Sequence, residues 1–258
     1  MADHWTEKLF GEQAGLFAET FADRFDEADE EVAALLDLLD AEYNRDVERT
    51  LDVACGVGRH VLALAERGCR AEGLDFSAAY VERARNNARE RGVADRTTFH
   101  HRDMRDLEVW EGPEEYDLAT VLWNSLGYYG RETDRRVLAA VRERLADDGV
   151  LVVEVGNKDC HVAEPDHDGV SEGDGRLQVT RRTYDVTTGE FELTVDWFDA
   201  TDDGYDHVDT MEWRYRMYAP VVLRELCLDA GFDAVDLYAD FDGTELTVDA
   251  PEVVLVAR

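Results

Sequence analysis

The sequence predicts an α/β protein in which a parallel sheet is covered by helices on both faces. Two observations carry this. Short apolar runs alternate with helical periodicities between residues 50 and 155, and repeated strand-helix units close into a parallel sheet. Residues 149–155 form a nearly unbroken apolar run, as a strand buried on both faces requires. A third observation is the stretch LDVACGVGRH, residues 51–60, which reads as a strand end, a glycine turn and a helix start.

The elements follow in order. Leu9 and Phe10, then Phe17, Phe21 and Phe25, recur at helical spacing, and a second helical run carries Val32, Leu35, Leu36, Leu39 and Tyr43. Residues 50–54 read as a strand, 58–67 as a helix and 70–75 as a strand. Ser77 supplies an N-cap for a helix to about residue 91. Strands follow at 97–102 and 116–124, then a helix over 131–146 with Val137, Leu138, Val141 and Leu145 on one face, then the apolar strand. Residues 157–176 are polar and acidic without periodicity, an unusual length for a connection and often a lid. Alternating runs at 177–184, 190–198 and 207–218 predict an antiparallel meander. Pro220 opens a helix that Gly231 ends, and strands near 232–238 and 252–257 close the chain. The expected segments are a helical cap (1–48), a nucleotide-holding core (49–156), an antiparallel β insertion or lid (157–218) and a closing helix and strands (219–258).

Composition narrows the function. No run of 18 apolar residues exists, so no membrane span is expected, and the first ten residues, MADHWTEKLF, lack the pattern of a secretion signal. Cys55, Cys69, Cys160 and Cys227 are scattered, with no CxxC pair, so neither a zinc site nor a disulfide framework is expected. A reduced, cytoplasmic protein is the natural reading. Sixty acids against 27 bases give a net charge of −33. In dilute buffer such a surface repels itself, whereas at 1 M salt the Debye length falls to about 3 Å. The excess runs through the whole chain, which points to a salt-adapted protein rather than to one acidic docking face. No basic stripe for nucleic acid is present.

The glycine turn then decides between ligands. A P-loop needs GxxxxGK[ST], and no Lys lies near. A dinucleotide turn needs GxGxxG; Gly56 and Gly58 supply two glycines, but Val61 stands in the third place. A ligand with an adenosine, an ammonium and a sulfonium but no phosphate suits Asp52, Ala54, Gly56 and Gly58 better. Asp75 ends the second strand, where an acid accepts from ribose hydroxyls. Asp103 and Met104 follow the third strand, an acid and an apolar residue fit for an adenine edge and face. Leu122, Trp123 and Asn124 end the fourth, at the carboxyl edge where open α/β sheets bind ligands.

In these residues the chain resembles the class I S-adenosylmethionine (SAM)-dependent methyltransferases, over residues 50–156 and the last helix and strands. LDVACGVGR matches that family's glycine loop, Asp75 its ribose acid and Asp103-Met104 its adenine pair. The resemblance extends to a prokaryotic subgroup with a β-rich insertion after the fifth strand and a tyrosine-proline-like helix start, here Tyr218-Ala219-Pro220. It implies a Rossmann-like seven-stranded sheet with the last strand antiparallel, SAM as cofactor, and an insertion over the substrate side.

Each residue also has a bland reading. An ordinary strand-to-helix turn uses the same glycines, and Asp52 would serve equally as a cap. Phe76 either stacks on adenine or packs in the core, and Cys55 is a small buried residue rather than a nucleophile. His60, His100 and His101 lack the geometry that a base assignment needs, so no catalytic residue is assigned. Asp159, His161, Glu164, Asp166, His167 and Asp168 resemble a hard-metal cluster, but in so acidic a chain they read as a solvated loop, and no metal is expected. Trp123, Tyr128 and Tyr129 sit at the expected substrate mouth with Asn124, either against a substrate or against the N-terminal helices. The turn Asn124-Ser125-Leu126-Gly127 lacks the [N/D]PP[Y/F] of exocyclic base-amine methylation, so a small-molecule acceptor is the expected partner. An NAD-dependent oxidoreductase and a SAM-binding protein without catalysis are the competing readings. The meander's edges offer strand pairing with a second copy, so any homodimer is expected there.

Overall fold

The computed structural model describes residues 4–12, 14, 24–113, 115–163, 167–173 and 175–258, with Glu12 and His167 described by backbone alone. Phe17, Phe21, Glu164, Asp166 and the His167 side chain lie outside the described residues.

Seven strands form one sheet: β1 (Arg49–Val53), β2 (Arg70–Asp75), β3 (Thr97–His101), β4 (Tyr116–Val121), β5 (Leu145–Gly156), β10 (Val235–Tyr238) and β11 (Glu252–Ala257). Their spatial order is β10-β11-β5-β4-β1-β2-β3. β1 runs parallel to both β2 and β4, and β4 parallel to β5, while β11 is antiparallel to both β5 and β10. The strand order reverses between β1 and β4, and this is where an open sheet splays its carboxyl-end loops and leaves a crevice.

Each face is covered by helices whose apolar stripe matches the strand beneath. Helices α1 (Phe25–Tyr43), α2 (Arg59–Glu66) and α3 (Ala78–Glu90) bury Leu35, Leu62 and Ala84 against Leu118, Val152 and Val254. Helices α4 (Arg131–Arg142) and α6 (Pro220–Asp229) bury Leu138, Val141, Leu223 and Leu226 against Leu51, Val153 and Leu255. Covering both faces explains why the strands read as continuous apolar runs. Ser77 caps α3 as its position predicts, with Tyr80 N donating to its Oγ.

Three sequence expectations need correction. The helix expected over 131–146 ends at Arg142, and Leu145 begins β5, because an apolar residue at a helix-to-strand junction satisfies both periodicities. The strand expected over 116–124 ends at Val121, and Trp123 and Asn124 take left-handed backbone angles. The aperiodic segment 157–176 contains a short helix α5 (Lys158–His161) and a full strand β6 (His167–Gly173) paired with β7 (Arg176–Asp185). Val170 on β6 is 71% exposed. This strand is held by its backbone ladder and buries no apolar face, so it leaves no alternation to read.

β6 and β7 with β8 (Glu190–Thr201) and β9 (Gly204–Tyr215) make a separate antiparallel sheet in the order β6-β7-β8-β9. Its inner face alternates Val195 and Trp197 on β8 with Met211 and Trp213 on β9. That face is covered by the N-terminal segment, where a π-helical turn (Glu7–Glu12) places Leu9 against it and Trp5 stacks on Trp213 at 6.0 Å. Among the described residues no helix is long and apolar enough to cross a membrane.

Candidate functional site

The crevice at the β1/β4 reversal is a cavity of about 290 Å³. The loops after β1, β2, β3 and β4 form its floor, and Leu9, Phe10, Leu193, Trp213, Tyr215 and Met217 close it from above. Twelve of the thirteen residues singled out from the sequence line it: Asp52, Ala54, Gly56, Asp75, Phe76, Asp103, Met104, Leu122, Trp123, Asn124, Tyr128 and Tyr129. The exception, Gly58, lies one step behind the wall. A Cβ built there would sit 2.9 Å from the Phe99 ring and 3.0 Å from Ala84 Cβ, so Gly58 lets α2 pass close to α3 and β3.

The turn after β1 is shaped by its acids. Asp75 Oδ2 accepts from Gly56 N at 2.9 Å, and its Oδ1 accepts from Ser77 N at 2.8 Å. One carboxylate thus ties the glycine turn to the start of α3. Burial pushes the Asp75 carboxyl up to about 6, against the two backbone donors that favour its charge. Asp52 accepts from Thr120 Oγ1 at 2.7 Å through Oδ1, which locks β1 to β4. Its Oδ2 is buried with no hydrogen-bond partner among the described residues, and burial raises its pKa. A buried acceptor left open at a cavity wall suits a ligand donor. Gly56, at φ +55°, has nothing within 4 Å of the position a Cβ would take, so a ligand can approach its backbone closely. Ala54 holds φ +62° in the same turn.

Asp103 caps the short 3₁₀ turn Met104–Val109, and both its oxygens are gripped by Arg105, with Nη2 to Oδ2 at 2.6 Å. The Arg105 guanidinium lies over the Tyr129 ring at 4.2 Å, and Tyr129 donates to Thr6 Oγ1 at 3.1 Å. The loop after β3 is therefore fastened to the N-terminal segment. Phe10 bridges the cavity roof, 6.3 Å from the Phe76 ring and 6.0 Å from that of Tyr128.

Trp123 and Asn124 hold φ +56° and +63° in succession. A bulky residue in the left-handed region costs of order 1–3 kcal/mol and tends to mark a functional turn. The guanidinium groups of Arg24 and Arg59 lie over the Trp123 ring, at 5.3 and 5.1 Å. His60 lines the cavity wall and pairs with Glu31 at 2.8 Å. His100 pairs with Glu72 and packs edge-on to Trp110, and His101 meets the Phe76 carbonyl, so neither lines the cavity. Cys55 is buried, and burial first and then Asp75 hold its thiol well above the usual range, which fits a packing role.

Several lining residues escape the sequence reading: Leu9, Phe10, Arg59, Tyr80, Trp213, Tyr215 and Met217. For Trp213 and Tyr215 a signal exists in the alternation of β9, but only the tertiary packing says which face meets the cavity.

Residues 50–149 match the family model described as a methyltransferase domain. A 23S rRNA (uracil(1939)-C(5))-methyltransferase of Ralstonia nicotianae is 42% identical over 74 residues, covering 29% of this chain and 16% of that protein. A dTDP-3-amino-3,6-dideoxy-alpha-D-glucopyranose N,N-dimethyltransferase of Streptomyces fradiae is 34% identical over 108 residues, 40% of this chain and 38% of that one. The chain thus spans well under half the length of these curated relatives. A solved S-adenosylmethionine-dependent methyltransferase from Clostridium acetobutylicum superposes with a TM-score of 0.77 over 95% of this chain and 98% of its own, at 16% identity, a likeness of fold. Residues 50–149 therefore match the methyltransferase-domain family, and the chain has the Rossmann-like fold seen in solved SAM-dependent methyltransferases.

Proposed function

We propose that this protein transfers a methyl group from SAM to a small-molecule acceptor. The observation that carries the reading is the convergence of Gly56, Asp75, Met104 and the open Asp52 oxygen on one cavity that aromatic side chains also line. In this reading Asp75 accepts from the ribose hydroxyls, Phe76 and Met104 pack the adenine, and Asp103 lies at its edge. Asp52 and the turn at Ala54 and Gly56 face the ammonium end, with Leu122 and Trp123 alongside. SAM supplies a methyl already activated on a sulfonium, so the chain has no covalent intermediate to form.

The chain's own contribution is placement and exclusion of water. Well-oriented reactants gain roughly 7–11 kcal/mol of barrier from positioning alone. Phe10, Tyr128, Leu193, Trp213 and Tyr215 give the cavity an apolar and phenolic lining. Burial raises the Tyr128 and Tyr215 hydroxyls, so both stay neutral donors. These five apolar or phenolic side chains on a cavity of about 290 Å³ support a compact acceptor with an apolar or aromatic face over a polynucleotide or a protein loop. Asn124 and Tyr129 line the same cavity. Loss of acceptor turnover with SAM affinity retained is the expected result of Tyr128→Ala.

The deciding experiment is calorimetry and thermal shift with SAM, S-adenosylhomocysteine (SAH) and NAD in molar KCl. SAM and SAH are expected to bind and raise the midpoint, and NAD to do neither. Heat from NAD alone would move the assignment to an oxidoreductase. SAH binding without label transfer from methyl-labelled SAM to any of a panel of small amines, alcohols and thiols would leave a binding protein.

We propose also that the chain works in concentrated salt, in a cytoplasm. The support is the net charge of −33 carried with only two lysines. The thermal midpoint is expected to climb as KCl rises from dilute to molar, as screening removes self-repulsion; a midpoint indifferent to KCl would remove this proposal.

A further inference from the structure

Glu154 lies on β5 within the run Val150–Val155, whose other members are all apolar, and is 5% exposed. A carboxyl in such a place needs a partner that justifies its burial. Its Oε2 accepts from Trp123 N at 2.5 Å, and its backbone carbonyl accepts from Asn124 N at 3.2 Å. Gly156 N closes the clamp by donating to Asn124 Oδ1 at 2.6 Å. The two residues so gripped are the consecutive left-handed pair of the cavity wall. Asparagine tolerates that region of backbone space, but a bulky residue such as Trp123 is disfavoured there without an external hold.

We infer that Glu154 is a positioning residue of the methyl-donor site, holding the Trp123–Asn124 turn in its left-handed form and so fixing one wall of the cavity. The inference rests on the methyltransferase reading above. Glu154 is not among the described lining residues; it acts through the turn.

The charged groups around it come from three elements. Glu252 faces it from β11, Glu31 from α1 and Arg59 from α2, and Glu31 is itself engaged by His60. Burial first and Glu252 second push the Glu154 carboxyl up to about 8. Below that pH it is neutral and still accepts from Trp123 N. Above it, a buried anion stands beside two further acids, and opening the turn to water relieves it. Opening returns the carboxyl to its ordinary range, so SAH affinity of the native chain is expected to fall as pH rises from that range to about 8 and to level off above it.

The test is SAH calorimetry on the full chain in molar KCl, from neutral pH to well above 8, with E154Q and E154A. Glutamine keeps an acceptor for Trp123 N and cannot ionise, so between neutral pH and about 8 E154Q should stay flat where the native chain weakens, and bind at least as tightly. E154A should lose roughly tenfold in affinity or more, the scale of one buried hydrogen bond left unmade. An E154Q profile parallel to the native one, or native-like binding by E154A, overturns the inference while leaving the methyltransferase reading intact. If E154A does not fold, the E154Q comparison decides alone. Absence of SAH binding by the native chain overturns both.

Discussion

Replacing Asp75 by alanine is expected to weaken SAH binding by at least roughly a hundredfold, the scale of two or more hydrogen bonds to a charged group. The carboxylate has two structural partners, Gly56 N and Ser77 N, and alanine strands both donors in a site where Asp75 itself is 6% exposed. The glycine turn then loses its tie to α3, and the ribose loses its acceptor. Asparagine should fall between, because its single carbonyl oxygen can serve only one of the two N–H groups. The pH dependence has a definite sign. Burial raises the carboxyl to about 6, so the form that accepts from three donors exists above that value and is lost as pH falls through it. Ribose donors favour the charged form, so binding near pH 6 should release a proton, read as a buffer-dependent enthalpy in calorimetry. Stability runs the other way. Between the ordinary carboxylate value and about 6 the folded chain holds a proton that the unfolded chain has lost, so Asp75's contribution to stability declines as pH rises through that window. Native affinity in D75A, with the fold intact by circular dichroism, would remove Asp75 from the site.

The floor of this site is legible in the sequence because it is built from local rules. Gly56 supplies a left-handed turn, Asp75 ends a strand, and Ser77 caps the helix that follows, all fixed by spacing along the chain. The roof is not legible in the same way. Leu9 and Phe10 show only a helical apolar pair, and Trp213 and Tyr215 only one face of a strand; that these two faces meet over the cavity is a fact of tertiary packing. Asp103 lies where its position after β3 predicts, yet its grip on Arg105 depends on a bidentate geometry that no spacing encodes. Glu154 does leave a trace, as the one acid in VLVVEV, but a charge in a buried strand reads as an irregularity until its partner is seen. β6 leaves none, since an exposed strand held by its ladder has no pattern of burial.

Gly127→Ala should cause the largest loss of stability of any single methyl added to this chain's described glycines. Its φ is +100°, and an added Cβ would lie 1.9 Å from the Arg216 carbonyl oxygen, a backbone atom that cannot swing aside. Arg216 N also donates to Gly127 O at 2.9 Å, so the clash breaks the contact that joins the loop after β4 to the end of the insertion. Gly127 N donates to Asp134 Oδ2 at 3.1 Å, and Tyr218 OH donates to the same oxygen at 2.5 Å. Asp134 is fully buried, and burial pushes its carboxyl to about 6, so displacing either donor leaves an acid poorly satisfied in the core. The joint cost is of order 4–5 kcal/mol, at the upper end for a point substitution. For a chain of this size that corresponds to a thermal midpoint lower by roughly 10 °C. Gly130→Ala is the control. Its φ of +88° and ψ of 160° lie in a region essentially reserved for glycine, but nothing lies within 4 Å of an added Cβ, so it should carry only the conformational cost, of order 1–3 kcal/mol, with no clash added. The comparison also asks whether the insertion moves with the core. If the two unfold together, G127A lowers one transition and weakens SAH binding with it, since Tyr215 and Met217 flank Arg216 and line the cavity. If the insertion opens alone, hydrogen exchange in β8 and β9 accelerates while the main midpoint holds, and the bond from Arg216 N to Gly127 O is then a latch of the roof rather than a part of the core.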